Sequence, residues 1–241
     1  MKTKKFMDEM IDLTGETPVG IGSTRLVYRF PESWGPQFKD KCIKIESLEK
    51  LAELRKNHHS YFKRIRGIKR LCDKPFELAF YRWAERVNPA IYNHIPHFYG
   101  MAQTTQGEGM VVDYIEGISI GSFIGKNGIT PPLIDALRNM FSIFIANSVE
   151  FRDIHKLDNW LVTQTADGNP QIVLVDGLGN ATLIPITMWF SSLGRRTSIR
   201  HARRMIDALG RRYASMENAD LLDFDAMMSG AGNTEATLNH E

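Results

Sequence analysis

Residues 151–180 read FRDIHKLDNWLVTQTADGNPQIVLVDGLGN. A polar loop, Arg152-Asp153-Ile154-His155-Lys156-Leu157-Asp158-Asn159, runs into an apolar strand. A turn follows at 166–170, and a second apolar strand at 172–175 delivers Asp176 into a glycine-bearing loop. Two strands so arranged present an aspartate, a lysine, an asparagine and a second aspartate from loop ends. The plain structural alternatives are a polar loop with a local Asx cap and a turn aspartate.

Upstream, PVGIGSTRLVYRF (18–30) holds Gly20 and Gly22 in a turn, after which Leu26, Tyr28 and Phe30 alternate with Arg25, Val27 and Arg29 as in a strand. Residues 31–36 read as a loop, and Cys42-Ile43-Lys44-Ile45 as a short strand with one lysine inside it. Helix formers over 47–71 place Leu48, Leu51 and Leu54 on one face and then turn basic. A second helix is expected over 75–87, capped by Asp73, with Glu77 at its start and Phe76, Phe80 and Trp83 sharing a face. Glu85, late in that helix, is the poorer of the two candidate partners for Lys44. Residues 97–117 predict a hairpin around Thr105-Gln106-Gly107-Glu108-Gly109. Downstream of it, Pro131-Pro132 opens an amphipathic helix over 132–149, and 187–230 reads as helical and basic.

The order of these elements predicts an α+β fold with a β-rich N-lobe over 10–117, a basic insertion at about 47–71, a small helical C-lobe over 118–230 and a frayed tail over 231–241. The 241 residues suffice for a packed core, and 43% hydrophobic with 24% charged residues excludes general disorder. The net charge is only +2, but 55–70 and 195–212 are strongly basic, so nucleic acid, an anionic surface or an acidic partner enters as a possible ligand beside a solvated helix face. Cys42 and Cys72 sit in no metal-binding spacing, which fits a reducing compartment. The N-terminus lacks the uninterrupted apolar core of a secretory signal, and no apolar run approaches the roughly 20 residues of a membrane span. A cytoplasmic location with no transmembrane segment is expected.

Phosphoryl transfer needs backbone over phosphates, a cation on them, oxygen ligands for Mg²⁺ and a group to orient the nucleophile. Gly20 and Gly22 lack a Cβ and can approach phosphates closely, although an ordinary β-turn uses the same residues. Lys44 can neutralise phosphates while paired with Glu77, or simply point to solvent. Val111 to Gly117 can offer its backbone to an adenine ring, or be a plain strand end. Asp153 can take a hydroxyl proton, Lys156 can steady the transferred group, and Asn159 and Asp176 offer oxygens that suit Mg²⁺.

The series GIGSTRLVYRF, CIKI, FELAFYRW, VVDYIEG, RDIHKLDNWLV and VLVDGLGN resembles protein-kinase-like proteins, and more narrowly the bacterial YrbL-like family of PhoP regulatory network proteins. The likeness runs from about 13 to 189. It implies a bilobal protein-kinase-like fold with ATP and Mg²⁺ as cofactors and an unspecified protein or small molecule as acceptor. It implies that Gly20, Gly22 and Val27 cover the phosphates, Lys44 pairs with Glu77, and Asp113, Tyr114 and Ile115 form the hinge. It further implies that Asp153 and Lys156 are catalytic and that Asn159 and Asp176 hold metal. Three departures stand out. Asp153 lies six residues before Asn159, where kinases place the catalytic aspartate five before, so either the loop carries an extra residue or Ile154 takes the base position. Gly177 replaces the phenylalanine of the DFG motif, and no APE-type segment follows. An ATP-dependent phosphotransferase and a nucleotide-binding pseudokinase or scaffold are both compatible with this pattern.

Overall fold

The computed structural model describes residues 6, 8–22, 24–57, 74–153, 156–179 and 191–230. Most of the basic stretch 55–70, Cys72, the expected cap Asp73, Ile154, His155 and the tail lie outside the described residues. The chain divides into two compact units, one within Met1–Leu78 and Pro96–Ile115, the other within Ala79–Ile95 and Glu116–Glu241.

The first unit is built on a five-stranded antiparallel sheet of order β1-β2-β3-β5-β4. Its strands are β1 (Gly20–Ile21), β2 (Arg25–Arg29), β3 (Lys41–Glu46), β4 (Phe98–Thr104) and β5 (Gly107–Asp113). Alternation sorts the side chains. Tyr28, Ile43, Ile45, Ala102 and Val111 are buried on one face with Ile11, Leu13, Phe30 and Phe38. The loop after β2 contributes to that face. Its two short 3₁₀ turns, Glu32–Trp34 and Pro36–Phe38, bring Trp34 and Phe38 against Phe30, with the Phe30 and Phe38 rings 5.0 Å apart and edge-on. Such aromatic pairs add to simple area burial.

The hairpin connection is shorter than the sequence suggests. Only Thr105 and Gln106 separate β4 from β5, because Gly107, Glu108 and Gly109 already pair with Thr104, Gln103 and Ala102. Gly109 belongs in that ladder for a packing reason: a Cβ there would lie 2.5 Å from Ile43 Cγ1. Beyond β4, the Ile11 amide donates to Gln103 O at 2.8 Å and Ile11 O accepts from Thr105 N at 3.0 Å, so the N-terminal segment covers the sheet edge.

Helix α1 (Leu48–Asn57) buries Leu51 but leaves Leu48 75% exposed, so the expected leucine face is corrected at its first position. Helix α2 (Lys74–Ala84) is rotated from the expected face. Glu77, Phe80, Tyr81 and Ala84 are buried, whereas Phe76 and Trp83 are half-buried. The spacing i, i+3, i+4, i+7 is helical as expected, but the stripe starts at a glutamate.

The second unit holds a three-stranded sheet, β6 (Ile118–Ser119), β7 (Trp160–Gln164) and β8 (Pro170–Leu174), in that order. Around it lie α3 (Ile120–Asn127), α4 (Pro131–Ala146), α5 (Ser191–Arg212) and α6 (Phe224–Ser229). Pro131 at the first position starts α4, where a missing amide hydrogen costs nothing. Leu133, Leu137, Met140, Phe141 and Phe144 then form its buried stripe and meet Phe151, Trp160, Ile172 and Leu174. Helix α5 contributes Ala202, Met205, Ile206 and Leu209 and turns Arg195, Arg196, Arg200, Arg204, Arg211 and Arg212 to solvent. Segment 79–95 joins this unit through His94, whose backbone O accepts from Leu174 N at 2.9 Å and whose Nδ1 meets Ile172 O at 2.8 Å. Among the described residues, no helix is long and apolar enough to cross a membrane.

Phe144 is fully buried, its ring against those of Phe151 and His94. Phe144→Ala is expected to cost about 3–5 kcal/mol by denaturant unfolding, whereas Leu193→Ala on the exposed side of α5 costs under about 0.5 kcal/mol.

Candidate functional site

In the first unit the chemistry gathers on the sheet face opposite the aromatic core. Antiparallel register pairs Val27 with Lys44 and Arg25 with Glu46, so these side chains share a face. Lys44 Nζ donates to Glu77 Oε1 at 3.0 Å, and Arg25 Nη1 donates to Glu77 Oε2. All three side chains are buried, with Glu77 1% exposed. Burial alone would push the Glu77 carboxyl up, but the charges and hydrogen bonds of Lys44 and Arg25 outweigh it and hold the group at about 2. Glu85 lies beyond the end of α2 and is exposed, so Glu77 is the partner of Lys44.

The glycine turn lies at the end of the same strands. Gly22 N donates to Arg25 O at 2.8 Å, and Lys50 Nζ of α1 donates to Gly22 O at 2.9 Å. Neither Gly20 nor Gly22 has a positive φ. A Cβ on Gly20 would come no closer than 3.4 Å to Val27, and one on Gly22 no closer than 3.6 Å to Arg25 O. Packing among the described residues therefore does not require glycine at either position. Ile21 between them is 69% exposed.

At the far end of β5, Asp113 N donates to His97 O at 3.2 Å and Tyr114 N donates to Asp40 O at 2.8 Å. The Asp113 carboxylate is occupied by His97 N and Nδ1 and by the Tyr99 hydroxyl at 2.6 Å. Burial and that carboxylate raise the Tyr99 phenol above its ordinary range. Of the three hinge candidates, Asp113 and Tyr114 thus spend their amides inside the unit, and Ile115 donates no amide hydrogen bond among the described residues. Beside Asp113, Cys42 is a free, buried thiol, pushed up to about 12 by burial.

In the second unit the pairing of β7 with β8 does the positioning. Trp160 pairs with Leu174, so Asn159, just before β7, meets Val175, just after β8. Val175 N donates to Asn159 O at 2.9 Å, which brings Asn159 next to the turn carrying Asp176. Asp176 Oδ1 accepts from Gly177 N at 2.8 Å. Gly177 has φ +80°, and a Cβ there would lie 3.0 Å from Arg152 O, so this position does require glycine. Arg152 N donates to Gly177 O at 2.7 Å, Gly179 N donates to Glu150 O at 3.0 Å, and Phe151 bridges Leu178. The two loops are therefore stitched together over their length.

Asp153 sits in the left-handed region at φ +54° and is exposed. Its Oδ2 accepts from Lys156 Nζ at 2.7 Å, and its backbone O accepts from Lys156 N at 2.8 Å. An ion pair so exposed contributes little to stability. Asn159 Nδ2 is buried and has no hydrogen-bond partner among the described residues. Among the described residues no group of three or more His, Cys, Asp and Glu gathers to hold a metal. One amide and one carboxylate oxygen nonetheless suit Mg²⁺, which commonly takes one or two protein ligands and completes its shell from phosphates and water.

The sequence pattern sets Arg25 opposite Leu26, Tyr28 and Phe30 in its strand and gives no sign of its role. Only the register reveals it: Arg25 shares strand parity with Val27, which pairs with Lys44. Glu46 and Lys50 were missed as well, and neither carried a distinguishing pattern.

A β3 lysine paired with a helix glutamate against a five-stranded antiparallel sheet, followed in the chain by a mostly helical unit, defines a protein-kinase-like fold. The chain matches the family described as PhoP regulatory network protein YrbL over residues 11–210, and it belongs to that family. No curated protein matches it. Among solved structures, Rad53 1-466 in complex with AMP-PNP is 20% identical with a TM-score of 0.48, covering 80% of this chain and 46% of that one. A point mutant of the Mycobacterium tuberculosis PknI kinase domain is 14% identical with a TM-score of 0.42, covering 78% and 71%. The chain thus spans less than half of the Rad53 fragment. With both scores below 0.5, the architecture rests on the strand order and the family match rather than on superposition.

The pH dependence of Glu77 follows with its sign. Its folded pKa of about 2 lies below the ordinary 4.5, so the pairing stabilises the fold fully above about 4.5 and the contribution is lost as pH falls toward 2. Acid titration of unfolding free energy is expected to lose this limb in Glu77→Gln, which is also less stable at neutral pH because two buried cations lose their carboxylate.

Proposed function

We propose that the chain is an ATP- and Mg²⁺-dependent phosphotransferase of the protein-kinase-like superfamily. The observation that carries this reading is the buried Lys44–Glu77 pair beside two glycines that packing among the described residues does not require. A lysine held by a carboxylate on a sheet face is preorganised to meet an anion, and preorganised charge in a dry site is worth more than charge in water. Gly20, Gly22 and Val27 cover the phosphates, Lys44 neutralises them, and Ile115 offers an amide to the base. Asn159 and Asp176 would hold Mg²⁺, which supplies charge neutralisation on the phosphates when bound.

Asp153 takes the proton of an acceptor hydroxyl as its oxygen bonds to the terminal phosphorus and the bond to the ADP oxygen breaks. Lys156, already against Asp153, steadies the negative charge that develops. Its contact also favours the register in which Asp153, not Ile154, is the base, with one extra residue in the loop. The acceptor, a protein or a small molecule, is set by chemistry outside these residues.

A pseudokinase is the second reading, and a specific observation favours it. The Asp153 carboxylate is occupied by Lys156, and two of the three hinge amides are spent internally. Such a chain would bind nucleotide without turnover.

Two measurements separate these readings. Lys44→Met is expected to weaken ATP binding about 10- to 100-fold by calorimetry, the loss of a charged hydrogen bond. Transfer of labelled γ-phosphate is expected in wild type and to fall at least about 100-fold in Asp153→Asn, with ATP binding kept. Equal transfer in Asp153→Asn removes the base role, and binding with no transfer in wild type selects the pseudokinase.

A further inference from the structure

Glu77 is held by two cations, one on each carboxylate oxygen. Arg25 Nη1 donates to Oε2 and Lys44 Nζ to Oε1, and the three side chains are 7%, 7% and 1% exposed in the order Arg25, Lys44, Glu77. The first turn of α2 is tied down beside them. Glu46 Oε1 of β3 accepts from Lys74 N at 3.2 Å, and Lys74 Nζ meets Glu108 Oε2 of β5 at 3.1 Å. Arg25 stands where the full glycine-loop pattern has its third glycine, so a side chain that would crowd the turn instead reaches along the sheet face to the carboxylate.

We propose that Arg25 is a positioning residue that keeps Glu77, and with it the start of α2, seated on β3 while Lys44 turns to a nucleotide phosphate. This rests on the phosphate-binding reading of Lys44 above. With a single cation, Glu77 would lose its partner to the extent that Lys44 is shared with phosphate. A buried carboxylate so abandoned is costly, and it must either leave or take a proton. The second cation on the other oxygen removes that cost. Arginine suits the task because its charge persists at any relevant pH and its planar fork is rigid. The consequence is a lysine–glutamate pair assembled before nucleotide arrives, needing no separate event to seat the glutamate.

The test is calorimetric binding of AMP-PNP with Mg²⁺ at pH 6 and pH 8, with folding checked by circular dichroism. Without Arg25, recruiting Lys44 obliges Glu77 to take up a proton, so affinity relative to wild type at the same pH falls as pH rises. Arg25→Met is expected to bind about 10-fold more weakly than wild type at pH 8 and less than about 3-fold more weakly at pH 6. Arg25→Lys restores binding to within about 3-fold at both. In a Glu77→Gln background, Arg25→Met changes affinity by less than about 2-fold, because Arg25 acts through Glu77. If Arg25→Met does not fold, Arg25→Gln carries the same expectation. Wild-type affinity in Arg25→Met at both pH values, or an equal loss in both backgrounds, overturns the proposal. Failure of wild type to bind at all overturns the phosphate reading and this one with it, whereas normal wild-type binding with an indifferent Arg25 removes only the latter.

Discussion

A single buried carboxylate organises the first unit. Glu77 is almost wholly removed from water, and burying a charge is affordable only when it is paired and hydrogen-bonded on each side. Arg25 from β2 and Lys44 from β3 meet that demand. The demand sets other features in turn. It fixes the face of α2 that turns inward and requires β2 and β3 to keep the register that puts Arg25 and Lys44 on one side. It also places the glycine turn, which joins β1 to β2, beside the lysine. The aromatic face of the same sheet supplies the cohesion that lets the opposite face carry charge.

The second unit solves a different problem, holding polar loops steady at the ends of two short strands. Pairing of Trp160 with Leu174 determines that Asn159 and the Asp176 turn are neighbours. Gly177 then allows the backbones of the two loops to approach to hydrogen-bonding distance of each other, which a side chain would block. Beneath them, Phe141, Phe144, Phe151 and Trp160 form a packed aromatic cluster that fixes the strand roots. Side chains on loops so braced are held in position by the backbone beneath them.

The sequence made the α+β class, the order of elements, and the pairing of Lys44 with Glu77 at the start of α2 legible. Neither the lysine in an apolar strand nor the glutamate in a first helical turn is distinctive alone, and it is their order along the chain that narrows the choice. Arg25 was not legible in the same way. Arginine in a strand normally reads as the solvent side, and only register with Lys44 reveals that its side is the charged, buried one. The inward face of α2 was misjudged for the same reason, because an apolar pattern sought among Phe76, Phe80 and Trp83 ignores a buried glutamate. The use of the Asp113 and Tyr114 amides depends on His97 and Asp40, partners 16 and 74 residues away, which no local pattern can indicate.

We propose above all that this member of the YrbL family binds a metal-bound nucleotide. The most direct measurement is a calorimetric titration of ATP with and without Mg²⁺ on wild type and Asp176→Ala. The expected result is binding to wild type that strengthens with Mg²⁺, and a Mg²⁺ dependence that disappears in Asp176→Ala while the fold is retained. Absence of binding to folded wild type, or the same Mg²⁺ dependence in both proteins, would contradict it.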